Sequence, residues 1–224
     1  MPDNRPPAMF IADAPGLDFL NSIATPDDTP VEWLASGEDL LAWLKEADLI
    51  PAAVPRALKK SAVPGELDAV AAQARALREW FREFVDERRG KPLQPDALKQ
   101  LEPLNRILAR EEEFGQIAAR DHHHPSDGDQ PVSGLVWVPH KRWRSPDTLL
   151  LPIAKAIADL VCNEDFTYIK ACEGAACTLL FFDRTRGRVR RWCSMAVCGN
   201  RSKQTAHRER IHQVRSGRTK RNRE

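Results

Sequence analysis

An α+β protein in two parts is the architecture this sequence predicts: a mostly helical N-terminal domain with a small β-hairpin, then a small four-cysteine module. Three observations carry that reading. Apolar residues recur at helical spacing through much of residues 36–163. Two short segments between residues 114 and 139 change to strand-like apolar runs. Four of the five cysteines fall within 27 residues near the C-terminal end.

Residues 1–35 are rich in loop formers, with Pro2, Pro6, Pro7, Pro15, Pro26 and Pro30, and contain one short apolar piece, Leu17-Asp18-Phe19-Leu20-Asn21. Ser36 with Asp39 three residues on predicts a helix N-terminus, followed by Leu40, Leu41, Trp43, Leu44 and Ala47 at helical spacing. Pro64 is expected to open a longer helix through Leu67, Val70, Ala71, Ala74, Leu77, Trp80, Phe81 and Phe84 to Arg89-Gly90. Pro95 predicts another, with Leu98, Leu101, Leu104, Ile107 and Leu108 as its buried stripe and a kink or break at Pro103. Phe114–Arg120 and Gly134–Pro139 read as the two strands of a hairpin or small sheet, separated by the polar run 121–129. A last long helix runs from Pro146 through Leu149, Leu150, Ile153, Ala156, Ile157, Leu160 and Val161, and Cys162 on it reads as an ordinary core cysteine.

Three units follow: 1–163 as an α+β domain, 164–212 as the cysteine module, and 213–224 as a disordered basic tail. No stretch approaches the roughly 20 apolar residues needed to span a bilayer, and the N-terminus has no signal-peptide pattern, so no membrane and a cytoplasmic location are expected. The net charge of +2 hides a division. Residues 1–183 hold 20 Lys/Arg against 30 Asp/Glu, and residues 184–224 hold 14 against 2, giving −10 and +12. So basic a segment points to a polyanionic partner.

The cysteines are spaced Cys172-x4-Cys177-x15-Cys193-x4-Cys198. An odd cysteine total without an export signal argues against a disulfide framework. Two short pairs separated by a hairpin-length spacer suit a tetrahedral Zn²⁺ with four thiolate ligands, and four thiolates close the coordination sphere, which makes one structural zinc the expected cofactor. The spacer reads as strand Thr178–Phe182, turn Arg184–Arg188 and returning strand Val189–Trp192. Its apolar groups Phe181, Phe182, Val189 and Trp192 are too few to fold it, so metal binding is expected to supply the stability. The expected fold is therefore a zinc finger of β-hairpin plus helix.

After the last ligand, residues 198 to about 212 read as a helix on which only Ala206 and Ile211, with Val214 just beyond it, are apolar, too narrow a stripe for a core element. The expected nucleic-acid contacts are Arg188, Arg190, Arg191, Asn200, Arg201, Lys203, Gln204, His207, Arg208 and Arg210. Lys and Arg would neutralise phosphates, while Asn200, Gln204 or an Arg could read bases.

The run Cys172-x4-Cys177, Phe182-Asp183, Arg190-Arg191-Trp192-Cys193-Ser194-Met195, Cys198-Gly199-Asn200-Arg201, with Lys203 and Arg208, resembles the CGNR zinc-finger family. Gly187 stands where that family usually has Asn, and Val189 where it has Ser. Leu17-Asp18-Phe19-Leu20-Asn21-Ser22 is similar to the opening of the ABATE-type stress-induced transcription regulator domain that commonly precedes the finger. The resemblance implies a DNA-binding regulator whose N-terminal domain senses a small-molecule effector or mediates assembly, for instance as a homodimer. The alternatives are an RNA-binding accessory protein using the same basic surface and an enzyme in the first domain. No catalytic motif is found, so the protein is read as a non-enzyme. His122, His123 and His124 read as solvated loop histidines, Trp80, Phe81 and Phe84 as core, and Asp18 with Asn21 as helix-capping residues.

Overall fold

In the computed structural model the described residues are 5–25, 29–119, 134–205, 207, 208 and 210. The three histidines at 122–124 and the tail 213–224 lie outside them. Six α-helices and three two-stranded antiparallel sheets occur among these residues in the order α1 (Pro15–Leu20), β1 (Ile23–Ala24), β2 (Val31–Glu32), α2 (Gly37–Glu46), α3 (Val54–Ser61), α4 (Glu66–Arg88), α5 (Glu102–Leu108), β3 (Glu113–Ala119), β4 (Leu135–Lys141), α6 (Leu150–Asn163), β5 (Ile169–Ala171) and β6 (Leu180–Phe182). A further helical stretch begins at residue 200. None of the helices is long and apolar enough to cross a membrane.

The helix boundaries follow local chemistry. Ser36 caps α2 as expected: its hydroxyl accepts the Asp39 amide at 3.2 Å and the Asp39 carboxylate accepts the Ser36 amide at 3.0 Å. Pro64 does not open α4. Gly65, with φ +80°, makes the turn and α4 begins at Glu66, because only a residue without Cβ takes that left-handed corner cheaply. Pro95–Leu101 is a 3₁₀ segment that gives way to α5 at Glu102, so Pro103 sits in the first turn of a new helix rather than at a kink inside one. Three residues per turn rotate the expected stripe, and Leu98 faces solvent. A second 3₁₀ segment, Pro146–Leu149, leads into α6.

One core gathers these elements apart from β3 and β4. Short α1, with Leu17, Phe19 and Leu20 fully buried, lies among α4, α6 and β6. Phe81 and Phe84 of α4 are buried and Trp80 stacks beside Phe84, in keeping with their reading as core. The core continues into the cysteine module: Leu179, Leu180, Phe181 and Phe182 are all buried in the same cluster. The apolar group the module lacks by itself is thus supplied by the helices before it. Cys162, by contrast, is exposed: α6 turns the opposite face to the core.

Two polar contacts tie the buried layers together. Arg78 of α4, fully enclosed, makes a two-pronged pair with Glu32 at 2.8 and 2.6 Å and reaches the Ser22 hydroxyl at 3.0 Å. The Asn21 side chain donates to the Leu180 carbonyl at 2.8 Å and accepts the Leu180 amide at 2.9 Å, so one amide side chain substitutes for a neighbouring strand along β6. Neither Asn21 nor Asp18 caps a helix N-terminus. Asp18 accepts the Ala12 amide at 3.0 Å, and burial pushes its carboxyl up to about 6.

Two expectations follow. Asn21→Leu leaves a buried amide and carbonyl of Leu180 without partners and should lower stability by about 2–4 kcal/mol, read as a shifted urea midpoint with unchanged slope. For Asp18 the folded-state pKa is the raised one, so the stability its protonated form contributes is lost as pH rises from about 4 to about 6. Asp18→Asn retains an acceptor oxygen without the charge. Its melting temperature should approach the parent's at pH 5 and exceed it at pH 7.5, equivalent to roughly 1–2 kcal/mol. A gap that does not change over that range would contradict the burial argument.

Candidate metal centre

Each cysteine pair is placed by a turn. Cys172 follows β5, and Gly174 then lets the chain double back so that the Cys177 amide donates to the Gly174 carbonyl at 3.0 Å. A Cβ on Gly174 would come within 3.0 Å of the Cys198 sulfur and 3.1 Å of Cys177 Cβ, so a side chain there would intrude on the sulfur cluster. Cys193 precedes the π-helical turn Met195–Gly199, and Cys198 lies within it. The hairpin of this module is β5 paired with β6, in register Ile169↔Phe182, Lys170↔Phe181 and Ala171↔Leu180. Residues 189–192, expected as a returning strand, form a loop instead, and Val189 is 72% exposed. The reason is that β6 is already bonded to β5 on one side and to Asn21 on the other.

The four ligand sulfurs lie within 4.8 Å of one another, with Cys177–Cys193 at 3.8 Å and Cys193–Cys198 at 3.6 Å. A tetrahedron with Zn–S bonds of about 2.3 Å has edges of about 3.8 Å. Disulfide sulfurs would stand about 2 Å apart, and all four cysteines are free thiols. Cys172, Cys193 and Cys198 are buried and Cys177 is partly so, which closes the site to exchangeable ligands. Amides of Gly174 and Cys193 point at the Cys172 sulfur at 3.4 and 3.2 Å, polar donors that favour a thiolate. Four sulfurs this close cannot all ionise unaided. The contact with Cys193 draws Cys177 down to about 5, the same contact pushes Cys193 up, and burial pushes Cys198 up to about 12. A divalent cation removes that conflict, and the cofactor of this site is one structural Zn²⁺.

In the loop that follows β6 sits a residue for which sequence reasoning proposed no role. Asp183 is fully buried, and its carboxylate accepts Lys170 Nζ at 2.7 Å, the Thr185 hydroxyl at 2.6 Å, and the amides of Thr185 and Arg190 at 3.0 Å each. Burial alone would raise its pKa, but these donors together hold it at about 2. The usable signal was a single acid at the head of a strongly basic run.

The expected nucleic-acid residues separate into two groups. Arg190 is directed inward: it donates to the carbonyls of Ile11 (2.9 Å) and Trp192 (3.0 Å), pairs with Asp13, and lies 4.2 Å from the Phe181 ring. Arg188, at φ +51°, stacks 3.8 Å over Tyr168 and donates to the Asp183 carbonyl. Arg191 is exposed and paired with Glu173 at 2.7 Å. Asn200, Arg201, Lys203, Gln204, His207, Arg208 and Arg210 are all exposed on the helical stretch after Cys198. Among the described residues of this stretch none is buried except at its root, where Cys198 and Gly199 sit against the cage.

Comparison with known families gives two matches. Residues 13–164 match the ABATE family, described as “Putative stress-induced transcription regulator”. Residues 168–211 match the CGNR zinc finger. No curated protein matches the chain.

Purified protein should hold one zinc per chain, measured by metal analysis after thiol-reactive release. Cys193→Ser, or a strong chelator on the parent, should lower the melting temperature sharply, because ligand loss removes folding free energy on the order of 10 kcal/mol. Full stability after complete zinc removal would refute the structural assignment.

Proposed function

The chain belongs to the ABATE family and ends in a CGNR zinc finger, and on that premise we propose that it is a regulator that binds DNA through the helical stretch after Cys198. The observation that carries the reading is this stretch itself. It is anchored at one end by a zinc ligand and exposes Arg201, Lys203, His207, Arg208 and Arg210, and none of its described residues from 200 onward is apolar. A rigidly rooted cationic helix is suited to the major groove, with Lys and Arg on phosphates and Asn200 or Gln204 at base edges. Arg188 and Arg190 take a supporting part, since their guanidinium groups hold the loop on which the finger stands.

The N-terminal domain supplies sensing or assembly. For sensing, the support is a cavity of about 440 Å³ between the start of α1, the end of α2 and α6, with an apolar floor of Pro15, Leu49, Pro152, Ala156 and Leu160. Arg184, from the loop between β6 and Cys193, reaches its rim, where it pairs with Glu164 and donates to the Asp13 carbonyl at 3.0 Å. An effector in that cavity would touch the finger directly.

Fluorescence anisotropy with selected duplex DNA tests the proposal. Binding should weaken steeply with salt, and Lys203→Ala with Arg208→Ala should reduce affinity at least tenfold and lower the salt slope by about 2. Equal loss on structured RNA of matched length would move the assignment to an RNA partner. Unchanged binding by the double variant would remove the helix from the interface.

A further inference from the structure

The β3–β4 hairpin is built unlike the rest of the protein. Its seven-pair register runs from Glu113↔Lys141 to Ala119↔Leu135, yet no residue of either strand is buried. Ile117 and Trp137 are each 66% exposed on the same face, with Leu135 at 56%. Trp137 lies across Gly115, whose absent Cβ would fall within 2 Å of the ring. Two-stranded ribbons are marginal by themselves in water, and exposed apolar strand edges are features that proteins normally protect.

The two edges of this arm differ. The Arg142 amide donates to the Glu112 carbonyl at 3.3 Å, which makes pairs 112/142, 114/140, 116/138 and 118/136 the hydrogen-bonded ones. The main-chain groups of Glu113, Gly115, Ile117 and Ala119 therefore point away from β4. Those of β4 that point away include Pro139, which has no N–H to offer. One edge is interrupted and the other, along β3, has a full set of donors and acceptors.

We propose that the free edge of β3 is a homodimer interface, in which two copies pair β3 antiparallel about a two-fold axis at Gln116 to form a four-stranded sheet. The sequence of the strand, Glu-Phe-Gly-Gln-Ile-Ala-Ala, is self-complementary in size about that centre. Glu113 meets the partner's Ala119, Phe114 meets the partner's Ala118, and Gly115 meets the partner's Ile117. Each large side chain is opposite a small one, as an isologous contact requires. Ile117 then lands beside the Trp137 ring of the partner subunit, which lies across Gly115. The exposed apolar side chains offer on the order of 400 Å² per chain, about half of a standard interface. The dimer is accordingly one of micromolar affinity. This deepens the assembly part of the reading above and is independent of DNA binding.

Analytical ultracentrifugation of the full zinc-loaded chain tests it. The mass should rise from one chain at low micromolar concentration towards two at 200 µM. Ile117→Lys changes an exposed position and should leave melting temperature and zinc content unaltered while keeping the chain monomeric at 200 µM. In a Cys162→Ser background with oxidised glutathione as electron acceptor, Gln116→Cys should cross-link across the axis and Glu113→Cys should not, since only position 116 meets itself. A monomeric parent at 200 µM, a dimer undiminished by Ile117→Lys, or no cross-link from Gln116→Cys would overturn the interface. A dimer that ignores DNA would instead sink the DNA-binding reading alone.

Discussion

Everything in the C-terminal module depends on one strand that answers to two structures. Leu180–Phe182 runs between the two cysteine pairs, so its position sets where the sulfurs can meet. The same residues are buried in the helical core, and the main chain at Leu180 is held by Asn21 and at Phe182 by the Ala12 carbonyl. A four-cysteine loop of this size has too little apolar surface to order itself, and burying four sulfurs without a cation is electrostatically costly. Core and cage together meet both needs: the helices supply the apolar contact and the metal neutralises thiolate charge.

That double commitment divides the arginines. Near the strand, half-buried Arg190 and exposed Arg188 are matched with Asp13, carbonyls and aromatic faces. Beyond the cage Lys203, His207 and Arg208 are exposed. Charge composition alone treats both sets as one basic patch. Hydrogen bonds and ring contacts tie the first set to the folded body.

The periodic features were legible because they are local. The capping pair Ser36–Asp39, the strand segments expected at 114–120 and 134–139, the paired cysteine turns and the basic stretch after Cys198 each rest on residues a few positions apart. Misreadings arose where a neighbour far along the chain intervened. Val189 was expected to return as a strand, but β6 already has partners on both sides. Cys162 and Leu98 lie on apolar-looking helices whose rotation depends on what packs against them, and both face solvent.

By itself the sequence determined that four thiolates would share one zinc ion and that a cationic helical segment would follow it, because ligand spacing, charge and periodicity are properties of the covalent chain. Only the tertiary structure decided which cations are consumed internally, which acid organises the finger loop, and where the finger ends and the core begins. Those outcomes hinge on contacts such as Asn21 with Leu180 and Arg190 with Ile11, between groups more than 150 residues apart that no local pattern brings together.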